Sequence, residues 1–289
     1  MRSEAQLIAD AGAIWRAGVA AVDSRRLVQD ILSVDAHYLT IGDHRFRLAD
    51  LRRLIVVGAG KAGAGMARGV LDAVSDSLHD RVFGWVNVPD DCVAELPYIH
   101  LHAARPAGLN EPTERGQLGA QKILALVSEA TADDLVLCLI SGGGSALVPL
   151  PVDGVSLAEK QLLTQSLSDA GATIEQLNTV RKHLSRIKGG RLASACRAPT
   201  MISLIISDVM GDPLDMIASG MTIPDTTSSL DALDVMRTFQ LHQDDRFTGA
   251  IRALQHAVPN PPAFATQSVP IVIGNNAVAV DAAGIEAER

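Results

Sequence analysis

The chain has 289 residues and a formal net charge of −8, from 25 Lys and Arg against 33 Asp and Glu. Apolar residues make up 47% and charged residues 20%, which excludes a disordered chain; the length suits one large domain or two small ones. The acidic balance argues against nucleic-acid binding. Three scattered cysteines, Cys92, Cys138 and Cys196, do not supply a disulfide framework or a cysteine-based zinc site. The start, MRSEAQLIADAGAIW, carries two acids and no apolar run, so it does not read as a secretory signal. No apolar stretch approaches the roughly 20 residues of a membrane span. A soluble protein of the cytoplasm is expected.

The first 30 or so residues are Ala-rich and free of proline, with Leu7, Ile8, Ala11, Ile14, Trp15, Val19 and Val22 at helical spacing, which predicts one or two opening helices. The pattern changes after Asp43. LRRLIVVGAG is an apolar, β-branched run ending in glycine, and KAGAGMARGVLDAVSDSL after it is helical in composition. The same grammar recurs: a strand over 81–88, a capped helix over 111–130, a strand over 134–140 running into SGGGS, a strand over 200–207 running into Asp208, and a strand over 269–274 running into Asn275 and a further helix. The stretch 255–268 reads as a proline-punctuated loop.

Continuous apolar strands alternating with helices predict a mostly parallel sheet covered on both faces. The fold expected is α/β: a Rossmann-like three-layer α/β/α sandwich with N-terminal helices. In such a sheet the loops at the strand C-termini share one rim. Residues 58–65, 141–145, 207–212 and 274–276 are all expected to open onto it.

Gly58-Ala59-Gly60-Lys61-Ala62-Gly63 matches G-x-G-x-x-G between a strand and a helix, where glycines let backbone amides approach an anion. The commonest meaning is a dinucleotide site, but the strand that should end in a ribose-binding acid ends instead in Asn87-Val88-Pro89. Lys61 sits inside the loop, and no Ser or Thr follows it as in a Walker A loop. The alternative is a tight strand–helix turn with a solvated lysine. Ser141-Gly142-Gly143-Gly144-Ser145 follows a fully apolar strand; consecutive glycines lose much entropy on folding, and a nest of amides between two hydroxyls suits phosphate. A plain flexible turn is the competing reading.

From Gln176 to Ser207 there is no acid, yet Arg181, Lys182, Arg186, Lys188, Arg191 and Arg197 fall within it. Such a local reversal of sign in an acidic chain calls for an anion, against the alternative of a solvated basic face. Arg181, Ser185 and Lys188, at i, i+4 and i+7, are expected on one face of a helix that Gly189-Gly190 ends. Asp208 and Asp212 lie four apart on a turn after a strand, where a carboxylate can hold Mg²⁺ or accept a hydroxyl proton, or simply cap a turn. Asp215 and Asp225 are weaker candidates, and His183 reads as a rim residue rather than a base.

The segments VVGAGKAGAGMA, LISGGGSALVPLP, NTVRKHLSRIKGGRLA, LIISDVMGDP, IASGMTIPD and IGNNAVAVDAA, in that order, resemble the glycerate 2-kinase (type-II glycerate kinase, MOFRL-containing) family over roughly residues 5–289. Some members of that family carried the label hydroxypyruvate reductase. The resemblance implies ATP- and Mg²⁺-dependent phosphorylation of D-glycerate on its 2-hydroxyl. Lys61 is then an active-site residue, with Ser141–Ser145 and Arg181–Gly190 lining the same cleft. The chemistry assigned on that basis places Lys61 on the transferring phosphoryl group or the substrate carboxylate. Asp208 acts as base or Mg²⁺ holder with Asp212 as a second Mg²⁺ ligand. Gly58, Gly60, Gly63, Ser141, Gly142, Gly143, Gly144, Ser145, Arg181, Lys188 and Asn275 bind substrate or phosphate.

Three departures from the family pattern stand out. Ser219-Gly220-Met221-Thr222 replaces S-G-P-T, and Ala104-Arg105-Pro106-Ala107-Gly108-Leu109 replaces G-H-P-x-P-D. Relatives also continue into a C-terminal MOFRL domain. Residues 1–289 are therefore expected to be the N-terminal Rossmann-like domain, with one wall of the cleft and little kinase activity by themselves. An NAD(P)H-dependent hydroxypyruvate reductase and a non-catalytic nucleotide-binding remnant are the alternatives, and a homodimer is left open.

Overall fold

The computed structural model describes residues 3–74, 76–257 and 264–289, and within the helix at 76–79 it does not describe the side chains of 76 and 77. The chain opens with helices α1 (Glu4–Ala21) and α2 (Ser24–Ile31), each started by a side-chain cap, Ser3 and Asp23. Three short strands follow, β1 (Leu32–Val34), β2 (Tyr38–Ile41) and β3 (His44–Arg47), forming an antiparallel meander. The main sheet then begins with β4 (Arg53–Ala59), followed by α3 (Gly63–Ala73), α4 (Asp76–His79), β5 (Val82–Pro89) and β6 (Ile99–Arg105). Next come α5 (Glu114–Ser128), β7 (Asp134–Ser141), α6 (Gly144–Leu147), α7 (Leu157–Asp169), α8 (Ile174–His183), α9 (Arg191–Ala195) and β8 (Thr200–Ile206). The chain closes with α10 (Ser229–Thr238), α11 (Thr248–His256), β9 (Gln267–Gly274) and α12 (Asn276–Ala287).

The main sheet is six-stranded, ordered β6-β5-β4-β7-β8-β9, and every neighbouring pair is parallel. Its central strands β4 and β7 are apolar almost throughout, as a sheet covered on both faces requires. One core lies between the sheet and α5, α6 and α9, centred on Ile55, Val57, Ile123, Val136 and Ile205. The other lies between the sheet and α2, α3 and the meander, centred on Val28, Leu39, Val56, Met66 and Leu137. The three-layer α/β/α expectation is met.

A third apolar cluster is separate. Leu163, Leu167, Val180, Leu233, Met236, Phe247 and Leu254 pack α7, α8, α10 and α11 into a helical cap with its own core. Sequence patterning did not single out this cap, the meander or β6. The proline-rich loop expected over 255–268 falls partly outside the described residues; α11 runs to His256 and β9 starts at Gln267. No helix among the described residues is long and apolar enough to cross a membrane.

The strand order reverses between β4 and β7: β5 and β6 build outward on one side, β8 and β9 on the other. The crevice beyond the carboxyl ends of two such strands is where open α/β sheets bind ligands. The turns that leave β4 and β7 are the Lys61 loop and the SGGGS turn.

Candidate active site

A cavity of about 670 Å³ opens at this switch point, lined by Ser141–Ala146 and Asp208–Val209 from the sheet rim and by Lys160, Gln161 and Arg181 from the helical cap. Helices α7 and α8 therefore face the rim across the pocket. The one-walled cleft expected from the sequence is, for this pocket, enclosed on two sides by residues of the chain itself.

Two cations meet at Ser145, and a third lies beside them. Arg181 Nη2 donates to Ser145 Oγ at 2.8 Å, and Lys188 Nζ donates to Ser145 Oγ at 2.6 Å and to Ser145 O at 2.7 Å. Lys160 Nζ donates to the carbonyls of Arg181 and Leu184, at 2.9 and 2.8 Å. Those carbonyls sit at the C-terminal end of α8, where the helix dipole is negative, which draws the cations to this spot. Lys188 is only 3% exposed, and none of the three enters an ion pair among the described residues. Burial, reinforced by the neighbouring cations, pushes the Lys188 and Lys160 ammonium groups well below the ordinary lysine range, and burial lowers Arg181 as well. A buried set of cations with no carboxylate partner among the described residues leaves a charge that an anion would offset.

The route by which Arg181 and Lys188 come together differs from the expected one. The helix ends at His183, so Lys188 is not on its face; the chain turns at Ser185, which bridges to Pro151, and brings Lys188 back to Ser145. In the rest of the basic window Arg186 and Arg197 are exposed, but the residues next to Arg181 are not. Lys182 and His183 are buried, and both reach Asp225, which is itself sequestered, at 3.5 and 3.4 Å. His183 also contacts Thr227 at 3.0 Å, so it is a core residue tying α8 to the 225–227 turn, not a rim residue.

The two glycine loops part company. In the Lys61 loop every amide from 60 to 63 is engaged: Gly60 N donates to Asn87 O, Lys61 N to Gly142 O, Ala62 N to Ser141 Oγ and Gly63 N to Gly60 O. Gly58, Gly60 and Gly63, expected to present amides to an anion, are instead accounted for by close packing against Leu139, Ser141 and Val86. What this loop offers a ligand is the exposed side chain of Lys61. Ser141, also expected to bind phosphate, is buried with its hydroxyl accepting from Ala62 N.

In the SGGGS turn, by contrast, the Gly142 and Gly143 amides donate to no protein acceptor among the described residues. A nest of free donors lies here. Gly143 adopts φ +78°, which favours glycine, and a Cβ on Gly142 would collide with the Asp208 carboxylate. Asp208 is exposed on the rim, its carboxylate against the turn and without a hydrogen-bond partner among the described residues.

Asp212 and Asn275 form a separate pair. Asn275 Nδ2 donates to Asp212 Oδ2 at 2.5 Å, while its Oδ1 caps α12 by accepting from Val278 N at 3.0 Å. Neither lines the cavity. Asp212, expected to hold Mg²⁺ beside Asp208, and Asn275, expected to bind phosphate, are thus engaged with each other. No group of three His, Cys, Asp or Glu side chains is gathered as a metal cage among the described residues. Of the pair Asp208 and Asp212, only Asp208 is without a partner among the described residues, which fits a Mg²⁺ held by one carboxylate and completed by phosphate oxygens and water.

Sequence reasoning missed Lys160, because a lysine in SLAEKQLL has the local signature of an exposed helical residue. It also missed Ser219, whose Oγ lies 2.9 Å from Ser145 Oγ and whose backbone is left-handed at φ +58°. Strained, buried Ala218 and Ser219 are a structural signal of a functional wall. Near the end of β5, Asn87 is buried and holds α5 and α6 through Gly116 O and Leu147 O. No ribose-binding acid stands there.

The chain is a doubly wound α/β protein with a cationic, amide-lined pocket at its switch point. The chain belongs to the family described as a domain of unknown function, DUF4147, whose pattern matches residues 10–254. A glycerate kinase of Rattus norvegicus is 37% identical over 302 residues, matching 100% of this chain and 57% of the rat protein. A D-glycerate 2-kinase of Thermotoga maritima is 38% identical over 206 residues, covering 70% of this chain and 47% of its own. The crystal structure of a glycerate kinase from Thermotoga maritima superposes with a TM-score of 0.79 at 32% identity, over 98% of this chain and 62% of that one. The chain spans less than two thirds of each of these relatives.

Proposed function

We propose that this chain forms the substrate-binding part of an ATP-dependent D-glycerate 2-kinase. The observation that carries the reading is the convergence of Arg181 and Lys188 on Ser145, with buried Lys160 tied to the Arg181 carbonyl beside them, and no ion pair to any of the three among the described residues. A small hydroxy acid presents one carboxylate to such a pocket, and its hydroxyl then lies toward the rim. The names of the similar proteins supply the substrate, and the free amides of Gly142 and Gly143 suit the phosphate of the donor.

Phosphoryl transfer asks the protein for positioning and charge neutralisation. Arg181 and Lys188 hold the carboxylate and fix the 2-hydroxyl. Asp208 faces the turn from the rim and accepts the hydroxyl proton as the oxygen attacks the terminal phosphorus, whose bond to the leaving nucleoside diphosphate breaks. Lys61 offsets the charge on the transferring group. Mg²⁺, held by Asp208 and the phosphates, would neutralise the donor's charge; Asp208 serves as base only where it does not serve the metal. The free phosphoryl-facing rim is exposed at Lys61 and Asp208, and we assign its remaining cover to the further length present in the relatives, with residues 1–289 as the N-terminal unit.

We place the protein in the cytoplasm, where nucleoside triphosphate is supplied. A homodimer is proposed through the exposed apolar residues Ile8, Trp15 and Ile285, and sedimentation reads it. The deciding assay measures ADP released with D-glycerate and, separately, NADH oxidised with hydroxypyruvate. ADP release dependent on D-glycerate is expected; NADH oxidation without ADP release would replace the kinase with the reductase, which the missing ribose-binding acid speaks against.

A further inference from the structure

Strand β6 carries Arg105 to the edge of the same crevice, where the chain turns into Pro106. Arg105 is 2% exposed, its Nε is buried without a hydrogen-bond partner, and its guanidinium enters no ion pair among the described residues. Its Nη2 lies 3.1 Å from the point where a Cβ on Gly143 would stand, and Lys61 Cε lies 3.3 Å from that same point. Two residues further along, Arg181 and Lys188 converge on Ser145. Arg105 and Lys61 thus lie beside Gly143 and Arg181 and Lys188 beside Ser145, while the amides of Gly142 and Gly143 have no acceptor among the described residues.

A buried guanidinium without a partner destabilises the empty protein, and an anion relieves that cost. The two groups differ in access. Lys188 and Lys160 are buried, which suits a small enclosed carboxylate, whereas Lys61 is exposed, which suits the end of a larger, partly solvated ligand. A planar fork, an ammonium and a free amide together match the several oxygens of a phosphate better than the two of a carboxylate.

We propose that Arg105, with Lys61 and the Gly143 amide, forms a second anion subsite that takes the terminal phosphate of the nucleoside triphosphate. The identity of that ligand rests on the kinase reading; the existence of a phosphate subsite at Arg105 does not.

The test titrates the full chain, as wild type, Arg105→Gln and Arg105→Lys, with pyrophosphate and separately with D-glycerate, and records melting temperatures without ligand. Arg105→Gln is expected to weaken pyrophosphate binding at least about tenfold, the loss of one charge-assisted contact. D-glycerate affinity should stay within about twofold, and the ligand-free melting temperature should not fall, because an unpaired buried charge has been removed. Arg105→Lys keeps the charge but not the fork, so its loss should be smaller yet measurable. The proposal is overturned by pyrophosphate affinity within twofold of wild type in folded Arg105→Gln, by an equal loss for D-glycerate, or by no pyrophosphate binding in the wild type. If Arg105→Gln does not fold, an Arg105→Lys affinity equal to wild type overturns it. Arg105-dependent pyrophosphate binding in a protein that does not bind D-glycerate would sink the kinase reading and leave the subsite standing.

Discussion

Replacing Lys188 with methionine tests the central pocket most directly. Lys188 is buried between Ser145, Arg181 and Lys160, and burial with its cationic neighbours holds its ammonium well below the ordinary value of 10.5. In the empty protein the unfolded chain thus binds more protons than the folded one between that lowered value and 10.5. The corresponding stability is complete above 10.5 and is lost as the pH falls through the folded value. A carboxylate bound in the pocket favours the charged amine and raises it again, so binding takes up a proton within this window. The affinity for D-glycerate should fall with rising pH, with a slope in log K of up to about −1 per titrating lysine, Lys188 and Lys160 being the two. One charge-assisted hydrogen bond to the ligand is worth roughly 1.5–3 kcal/mol, so Lys188→Met should weaken D-glycerate about 10- to 150-fold and reduce the slope by about one. Calorimetry in buffers of different ionisation enthalpy counts the protons, and titrations from about pH 7 to pH 10 give the slope. Binding that is flat with pH and takes up no proton in the wild type, or a Lys188→Met affinity within twofold of it, refutes the argument.

Lys61→Ala should lower turnover on the order of 10²–10³-fold while the melting temperature holds, because an exposed side chain contributes little packing; a variant keeping more than half the activity would remove Lys61 from the reaction. Gly142→Ala places a methyl group against the Asp208 carboxylate and should cut turnover with little change in D-glycerate affinity; equal losses in both would show that the whole turn had moved. Asn275→Ala removes the α12 cap and the tie to Asp212, a loss of about 1 kcal/mol in stability read by denaturant unfolding, with D-glycerate affinity unchanged; weakened substrate binding would return Asn275 to the site. Residues 1–289 assayed alone should fold cooperatively yet turn over far below about 10 s⁻¹, since the Lys61 side of the crevice stays open to water; turnover near that value would make further cover dispensable.

The succession of strands and rim loops along the chain was legible because apolar, β-branched runs ended by turn residues are local signals, and β4, β5, β7, β8 and β9 stand where those runs are. So were the nest at 142–143 and the basic excess around Arg181, which are features of composition over a few residues. The tertiary structure decided the rest. Whether a glycine loop offers its amides depends on acceptors far away in the chain: Asn87, Ser141 and Gly142 close the 60–63 loop, and no such acceptor closes the SGGGS turn. Lys160 and Lys188 have the same sequence signature as solvated lysines, and only the packing of α7 and α8 over the rim desolvates them. Arg105 looked like a departure from a family pattern until the sheet carried it beside Gly143. Periodicity reports which face of an element is apolar; it does not report which distant element a polar side chain will meet, and an anion pocket consists of such meetings.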